Sequence, residues 1–394
     1  MERIYLKLFL VVTLSIIIAT SSIGFAQEPI KIGSTLSLSG GYAGTGVALK
    51  HGIMFAQHRI NEGGGVLGRK IEILIIDNES KPALANTIAK RLVTVDRTSV
   101  IIPATGSPIA NAVAPVCEEF KVPMLSIFSG DPKLHIPVRP FIFQYYPDTI
   151  AHSNVLALRL KRLNLRKTTL VYIDNAWGRG VRDLMMQEDF KKRYGYEFVA
   201  EPIPVPADVK DMTVQVGRLK ATPGIEAVLL APTTPVMTAF LKARKIANWD
   251  IEAIVWGPYV EEALVVIGAP DYGYKAWQAT PYDPTGNLKA ISRTVPEEAI
   301  KYFGGKKWAM DDCFACGYDG LMITAEAIKR AGSDDPNKIR NSLENNLKNW
   351  GKGILIQGNA ETIIRWSPEY HGGLQPEEVV WQHWIDGKPK TVGN

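Results

Sequence analysis

The sequence predicts an α/β fold class with two similar lobes, and three observations carry this prediction. From about residue 28, short runs rich in β-branched residues alternate with longer amphipathic stretches, as in the βα units of a parallel sheet. The same rhythm begins again near residue 150. The length of 394 residues suits two or three domains, and one very wide sheet would curl or split, so two lobes are favoured.

The first series contains five expected strands, at residues 30–36, 71–76, 100–103, 123–126 and 141–144. Helices are expected between them at 49–60, 82–95 and 110–120. The first of these helices carries Leu49, Ile53, Ala56 and Ile60 at the spacing of one buried face, and the glycines at 63–65 end it.

The second series repeats this order, with strands expected at 168–173, around 198, 227–230 and 251–255, and helices at 150–163, 182–194 and 236–246. Three further helices are expected at 291–303, 312–330 and 336–347, followed by extended segments at 354–357, 362–366 and 379–385. Because no low-complexity linker separates these elements, the lobes are expected to be joined by several short crossings that form a hinge.

The composition is that of an ordinary globular protein, with 46% hydrophobic and 22% charged residues and a formal charge of +5. It excludes a disordered chain, collagen, a coiled coil and a polytopic membrane protein. The small surplus of Lys and Arg is spread along the chain, so no nucleic acid partner is expected. A small solute is the expected partner.

The N-terminus is typical of a secretory signal peptide. Arg3 and Lys7 precede the apolar run 8–19, and Ala26 ends a small-residue cleavage site. We therefore expect residues 1–26 to be removed by cleavage after Ala26 and the remainder to be soluble in an oxidising compartment. A retained membrane anchor is the alternative, but the run is short for the ~20 apolar residues that a span requires.

The cysteines show neither a disulfide framework nor a metal site. The chain has only Cys117, Cys313 and Cys316, an odd number, and the last two lie in an expected helix with apolar residues at helical spacing. Packing of that helix is therefore favoured over a redox motif. Zinc normally takes four ligands, and the chain has no second pair of cysteines.

Six loops that follow strands combine glycines, hydroxyls and aromatic rings, and they are the candidate binding site. In open α/β sheets, ligands bind beyond the carboxyl ends of the strands, near helix N-termini. Turn chemistry alone could explain any single loop, but six such loops favour a site for a carboxylate on a flat or aliphatic body. The candidate ligand-binding residues are Ser39, Tyr42, Thr105, Gly106, Ser107, Phe128, Ser129, Gly130, Trp177, Thr233 and Tyr259.

Signals for catalysis and cofactors are weak. The GxxxxG spacing of 41–46 is followed by Val47 where a phosphate loop needs Lys, and Leu49 stands where a dinucleotide fingerprint needs Gly. No Gly-x-Ser-x-Gly or His-Glu-x-x-His pattern occurs, and the carboxylate pairs 118–119, 261–262 and 311–312 are interpreted as exposed. We expect no enzyme, cofactor or metal, although a triad assembled across the chain stays open.

The order of motifs resembles the periplasmic branched-chain amino acid binding proteins, the leucine/isoleucine/valine type of solute receptor for ABC transporters. The resemblance is carried by Ile32-Gly33 before the loop at 39–40 and by segments 60–71, 121–124 and 314–320. It implies the type I periplasmic binding protein fold, with two Rossmann-like lobes, parallel-rich sheets and three hinge crossings. The lobes are expected at 27–147 plus 281–350 and at 148–280 plus 351–394.

In such proteins the ligand carboxylate is held at positions matching Ser107 and 128–130, an aromatic residue matching Trp177 covers the ligand, and an acid in a Gly-Pro-Glu loop receives the α-ammonium. Here that loop ends in Tyr259, and Gly130 stands where amino-acid binders usually have Thr. Burying an ammonium without an anion costs several kcal/mol. The favoured ligand is therefore an aromatic or acyl carboxylate without an α-ammonium.

Two alternatives for the ligand and two for the function remain open at this stage. Asp174 or Glu261 could replace the missing acid, which would allow a branched-chain amino acid or amide to bind. The favoured function is a periplasmic receptor, expected to be a monomer, that presents its ligand to an ABC permease in the inner membrane. A sensing module for a signalling partner and a secreted enzyme are the alternatives.

Overall fold

The computed structural model describes residues 27–392 apart from 104, 258, 269, 274, 284–285, 306–311 and 386–387. The predicted signal peptide, residues 1–26, lies outside the described residues. Within the described part, no helix is both long and apolar enough to cross a bilayer.

The first sheet has five strands in the order β2-β1-β3-β4-β5, and all of its pairings are parallel. Its strands are β1 (Ile30–Leu36), β2 (Ile71–Asp77), β3 (Ile101–Pro103), β4 (Met124–Ser126) and β5 (Ile142–Gln144). The intervening helices are α1 (Ala43–Glu62), α2 (Pro82–Thr94) and α3 (Ser107–Glu119). Because the strands are parallel, their carboxyl ends meet at one edge of the sheet.

The second sheet has eight strands in the order β13-β12-β11-β10-β9-β6-β7, with β8 beside β6. The strands are β6 (Lys167–Ile173), β7 (Glu197–Phe198), β8 (Ile203–Val205), β9 (Ala227–Ala231), β10 (Glu252–Trp256), β11 (Ala276–Thr280), β12 (Val380–Ile385) and β13 (Lys388–Val392). Only the last two strands pair antiparallel, at the β11 edge. The helices are α4 (Thr149–Arg162), α5 (Ala176–Met186), α6 (Glu188–Tyr194), α7 (Thr213–Ala221), α8 (Thr234–Ile246) and α9 (Tyr259–Ile267).

Three later helices return the chain to the first sheet: α10 (Ile291–Tyr302), α11 (Asp312–Ala331) and α12 (Pro336–Asn345). Helix α11 lies directly against α1, and two glycines permit this contact. A Cβ atom at Gly317 would lie 2.2 Å from the Leu49 carbonyl oxygen, and one at Gly52 would lie 2.1 Å from that of Phe314. The first lobe is therefore completed by a helix that follows the second lobe in sequence.

Asp319, on α11, bonds to two of the segments that connect the lobes. These are the first crossing, which follows β5, and the third crossing, which follows α12. Its carboxylate accepts hydrogen bonds from the backbone N–H groups of Ile356 (2.7 Å) and Gln357 (2.9 Å), and from the Tyr145 hydroxyl (2.7 Å). Burial raises the pKa of Asp319 to about 6, although nearby Lys289 acts in the opposite direction. One carboxylate thus fixes the first and third crossings to the same helix.

The third crossing, which is the segment after α12, contacts the first sheet as far as Leu374. The Gln144 N–H donates to the His371 carbonyl and the Leu374 N–H donates to the Tyr145 carbonyl, so this segment runs beside β5. The Trp366 indole packs edge-on against Phe143, 5.3 Å between ring centres. The third crossing is therefore a long segment that contacts the first sheet as far as Leu374, and the lobe boundary at 351 stays a prediction.

The predicted fold class, α/β with two lobes and parallel-rich sheets, is confirmed. The segments 354–357 and 362–366, expected to be extended, are not strands of either sheet. Cys313 and Cys316 are buried thiols within α11, as expected if they serve its packing.

We expect Gly317→Ala to lower the free energy of unfolding by about 1–3 kcal/mol, because the added methyl group meets backbone rather than a movable side chain. Urea denaturation measures this. The matched control is Gly217→Ala on α7, where no atom lies within 4 Å of the new Cβ and the exposed helix should gain about 0.5–1 kcal/mol. Equal effects of the two variants would contradict the close contact.

Candidate functional site

A cavity lies where the carboxyl ends of strands from both sheets meet, with about 480 Å³ of empty space that includes the open solvent at its entrance. Both lobes contribute to it, through the loops after β1, β3 and β4 on one side and after β6, β9 and β10 on the other. The lining residues are Tyr42, Thr45, Thr105, Gly106, Ser107, Phe128, Ser129, Gly130, Tyr146, Ile173, Asn175, Trp177, Thr233, Trp256 and Tyr259.

Ten of the candidate residues named from the sequence line this cavity, and Ser39 does not. The Ser39 hydroxyl instead donates to the Asp77 carboxylate at 2.7 Å, and Asp77 also accepts from the Leu38 N–H at 2.9 Å. Ser39 thus closes the turn after β1. These contacts do not support a binding role for Ser39, because the partner that holds it lies at the end of a neighbouring strand.

Five lining residues were not among the candidates. Asn175 lies directly before α5, two residues from the candidate Trp177, and Trp256 is the last residue of β10, three residues from the candidate Tyr259. The sequence pattern therefore located these positions but did not select these residues. Ile173 is the last residue of β6, and Thr45 lies in the first turn of α1. Tyr146 belongs to the first crossing between the lobes, and only the folded chain shows that it faces a cavity.

The first-lobe side of the cavity is built from hydroxyls and backbone at the start of α3. The Ser129 hydroxyl donates to that of Ser107 at 3.1 Å, and the Gly106 N–H donates to the Phe128 carbonyl at 2.9 Å. These bonds tie the loops after β3 and β4 together. The N-terminus of an α-helix carries partial positive charge, so this side of the cavity favours an anion.

Thr105 has a φ of 104°, which is rare for a β-branched residue. Its hydroxyl oxygen accepts the Ser37 N–H at 3.2 Å and shares a hydrogen bond with the Ser37 hydroxyl at 2.7 Å. The Ser37 hydroxyl in turn lies 2.7 Å from the Asn78 side-chain oxygen. This buried network holds the loop in its unusual conformation, and such conformations cluster at ligand sites.

The opposite side of the cavity is aromatic. The Trp177 indole N–H donates to Nδ1 of His152 at 2.7 Å, and the His152 ring lies 3.7 Å from that of Trp256 between ring centres. The Trp256 indole N–H lies 3.3 Å from the Tyr146 hydroxyl, and Tyr146 packs against Phe128 at 4.6 Å. The rings form one continuous wall.

No described residue that lines the cavity carries a charged side chain. Asp174, a possible replacement acid, instead pairs with Arg179 at 2.6 Å on the surface. The side chain of Glu261 lies outside the described residues. Likewise, the part of the chain that the structure describes contains no group of three His, Cys, Asp or Glu side chains that could hold a metal ion.

One buried carboxylate, that of Asp312, forms a hydrogen bond with a residue of the aromatic wall. Asp312 was expected to be exposed, but its side chain is fully buried and accepts a hydrogen bond from the Tyr146 hydroxyl at 3.0 Å. Asp311, its partner in the predicted exposed pair, lies outside the described residues. The expectation failed because Asp312 begins α11 at the hinge, where the lobes cover it.

The two lobes touch across the mouth of the cavity through Asn175 and Tyr42. The Asn175 side-chain N–H donates to the Tyr42 hydroxyl at 3.1 Å, while its oxygen accepts the Gly178 N–H at 2.9 Å and caps α5. Burial raises the pKa of Tyr42, so the hydroxyl stays protonated. The two lobes are therefore in direct contact beside the cavity.

We expect Tyr42→Phe to weaken ligand binding by roughly fivefold, because it removes about 1 kcal/mol from the closed form only. Calorimetric titration measures the affinity. The matched control is Tyr194→Phe, whose lost bond to Asn154 (2.6 Å) lies within the second lobe and should leave the affinity unchanged. The same loss of affinity in both variants would rule out the cross-lobe bond as the cause.

Burial lowers the pKa of His152 from 6.5 to about 3. Between these values the unfolded chain binds a proton that the folded chain does not, so His152 makes stability fall as the pH drops from 6.5 toward 3. We expect His152→Asn to flatten this part of the curve of unfolding free energy against pH. Parallel curves for the two proteins would contradict the buried, neutral imidazole.

Comparison with known proteins places the chain in a family. A family model described as periplasmic binding protein matches residues 29–357. The Leu/Ile/Val-binding protein homolog 4 of Brucella abortus is 24% identical over 316 residues, which cover 78% of this chain and 74% of that protein.

Two solved structures share the fold. A leucine-binding protein of Thermotoga maritima has a TM-score of 0.76 at 20% identity, covering 92% of this chain and 98% of that one. A solute-binding protein of an ABC transporter from Rhodopseudomonas palustris, in complex with 3,4-dihydroxybenzoic acid, has a TM-score of 0.75 at 20% identity, covering 93% and 96%. The match to the family model spans most of the sequence, and the chain therefore belongs to the periplasmic binding protein family.

Proposed function

We propose that this chain is an exported periplasmic receptor that binds a small carboxylate lacking an α-ammonium, with an aromatic or acyl body. Closure of the lobes captures the ligand, and the closed monomer presents it to an ABC permease in the inner membrane. The signal peptide directs export and is cleaved after Ala26. The observation that carries the proposal is a cavity lined by hydroxyls, backbone and aromatic rings without a charged side chain among its described residues.

The carboxylate is assigned to the first-lobe side. Ser107 and Ser129 offer hydroxyls there, and α3 begins at Ser107 with its N-terminus at the cavity. Hydrogen bonds to an ionised acceptor are stronger than neutral ones, and the helix dipole adds to them. An arginine or lysine is therefore not required to bind the anion.

The lack of an anionic partner argues against an α-ammonium. At the position where the resemblance leads us to expect an acid, the Tyr259 ring lies over Gly257, where a Cβ atom would be 2.5 Å from the ring. Gly257 has a φ of 94°, a conformation that glycine adopts without strain. An ammonium buried against this ring would lose its hydration without gaining a counter-ion.

The aromatic wall favours a flat or branched apolar body. Trp177, Trp256 and Tyr146 surround the space beyond the carboxylate position. The related fold that binds 3,4-dihydroxybenzoic acid supports an aromatic acid, whereas the Leu/Ile/Val-binding relatives support an amino acid with a relocated acidic partner such as Glu261. Between these, the uncharged lining favours the acid.

Calorimetric titration with matched pairs tests the proposal. We expect 3-phenylpropanoate to bind more tightly than phenylalanine, and 4-methylpentanoate more tightly than leucine, by ~100-fold or more, because each amino acid adds only the buried ammonium. Micromolar leucine binding without a response to either acid would overturn the proposal. Recovery of the acids unchanged after incubation is expected of a receptor, and a new product would indicate an enzyme.

Two serine variants locate the carboxylate in the same experiment. Ser107→Ala should weaken binding of the acids by roughly tenfold, since it removes a hydroxyl from a charged acceptor. Ser39→Ala is the matched control, because Ser39 lies outside the cavity and bonds to Asp77. Unchanged affinity in Ser107→Ala would place the carboxylate elsewhere.

A further inference from the structure

We propose that His152 is a positioning residue that sets ligand selectivity by holding the indole N–H of Trp177 away from the ligand. The Trp177 part of the wall then offers the ligand ring carbon and no N–H donor, and the site disfavours acids whose α-carbon bears a hydrogen-bonding substituent on that side. This inference rests on the proposed function and deepens it. His152 does not line the cavity and acts only through Trp177.

The direction of the hydrogen bond fixes the state of His152. The indole N–H of Trp177 can only donate, so Nδ1 of His152, 2.7 Å away, is the acceptor and the ring proton is on Nε2. Burial lowers the pKa of His152 to about 3, which keeps the ring neutral and able to accept. The indole N–H is therefore used within the protein.

The His152 ring has no freedom to release this bond. It is fully buried, lies 3.7 Å from Trp256 at 31° between ring planes, and meets the Tyr146 ring edge-on at 5.7 Å. Three aromatic side chains, including Trp177, thus surround it. Because the His152 ring is packed on several sides, its hydrogen bond holds the Trp177 indole in one orientation.

The Trp177–His152 pair occupies the space that a side chain at position 130 would need. A Cβ atom at this position would lie 2.6 Å from Cδ1 of Trp177 and 2.9 Å from Cε1 of His152. Such distances are too short for carbon atoms, so a hydroxyl-bearing residue at 130 and the Trp177–His152 pair exclude each other. The pair therefore removes two polar groups from this part of the cavity lining, a side-chain hydroxyl at position 130 and the indole N–H.

An α-hydroxyl group that faces Trp177 consequently loses its water and gains no hydrogen bond from the indole. A site without a partner for a polar group disfavours it, and a site that offers a donor accepts it. If the His152 acceptor is lost, the indole N–H becomes available and the penalty on the α-hydroxyl falls. Selectivity, rather than affinity alone, is therefore the quantity that His152 controls.

The test compares phenylacetate with mandelate, which differs from it only by an α-hydroxyl, by calorimetric titration. We expect the natural protein to prefer phenylacetate, and His152→Phe to reduce the ratio of the two affinities by ~10-fold. His152→Asn keeps an acceptor oxygen near the place of Nδ1 and should hold the ratio within about threefold of the natural value. A merely structural role would move the affinities for both ligands together and leave the ratio unchanged.

Trp177→Phe keeps the test valid if His152→Phe does not fold. This variant has no indole N–H, so we expect it to retain the preference for phenylacetate, and a collapse of the ratio would overturn the inference. Adding His152→Phe to Trp177→Phe should not change the ratio further.

The two proposals fail in different ways. If the natural protein binds neither phenylacetate nor mandelate yet binds leucine, the proposed function is wrong. If it binds phenylacetate but a folded His152→Phe variant keeps the natural ratio, only the role of His152 is wrong.

Discussion

The parallel direction of neighbouring strands is the constraint on which the site depends. Because the carboxyl ends of β1, β3 and β4 meet at one edge, and those of β6, β9 and β10 at another, short loops from distant parts of the chain converge on one cavity. Helices α1, α3, α5, α8 and α9, which follow all of these strands except β4, begin at the same cavity. No lining residue needs a long loop to reach it, so the site is carried by regular structure.

The segments that connect the lobes are held together by two buried charged side chains. Asp319 accepts two backbone N–H groups from the third crossing and the Tyr145 hydroxyl from the first, and Lys289 of the second crossing donates to the carbonyls of Leu355 and Gln357. Burial lowers the pKa of Lys289 to about 8, with Asp319 acting against this shift. The crossings between the lobes are thus bonded to each other.

Much of this was predictable, because strand patterns and turn chemistry are local properties. The rhythm of apolar runs gave the α/β class, and glycine and hydroxyl residues after strands identified the loops that contain most of the cavity lining. Ser39 misled this reasoning, since a serine that bonds to Asp77 looks the same in sequence as one that faces a ligand. Tyr146, Asp312 and His152 were missed because their roles come from packing between segments far apart in the chain.

The close contact of α1 and α11 at Gly52 and Gly317 also determines which lobe can complete its folding first during synthesis. The first lobe cannot bury one face of α1 until α11 has been made, and α11 follows the whole run from β6 to β11. Most of the second sheet is continuous in sequence and can assemble while the first still lacks a helix. After the predicted signal peptide, the first residues to leave the ribosome therefore belong to the first lobe, which is completed last. Its incomplete core is the surface that a chaperone would meet.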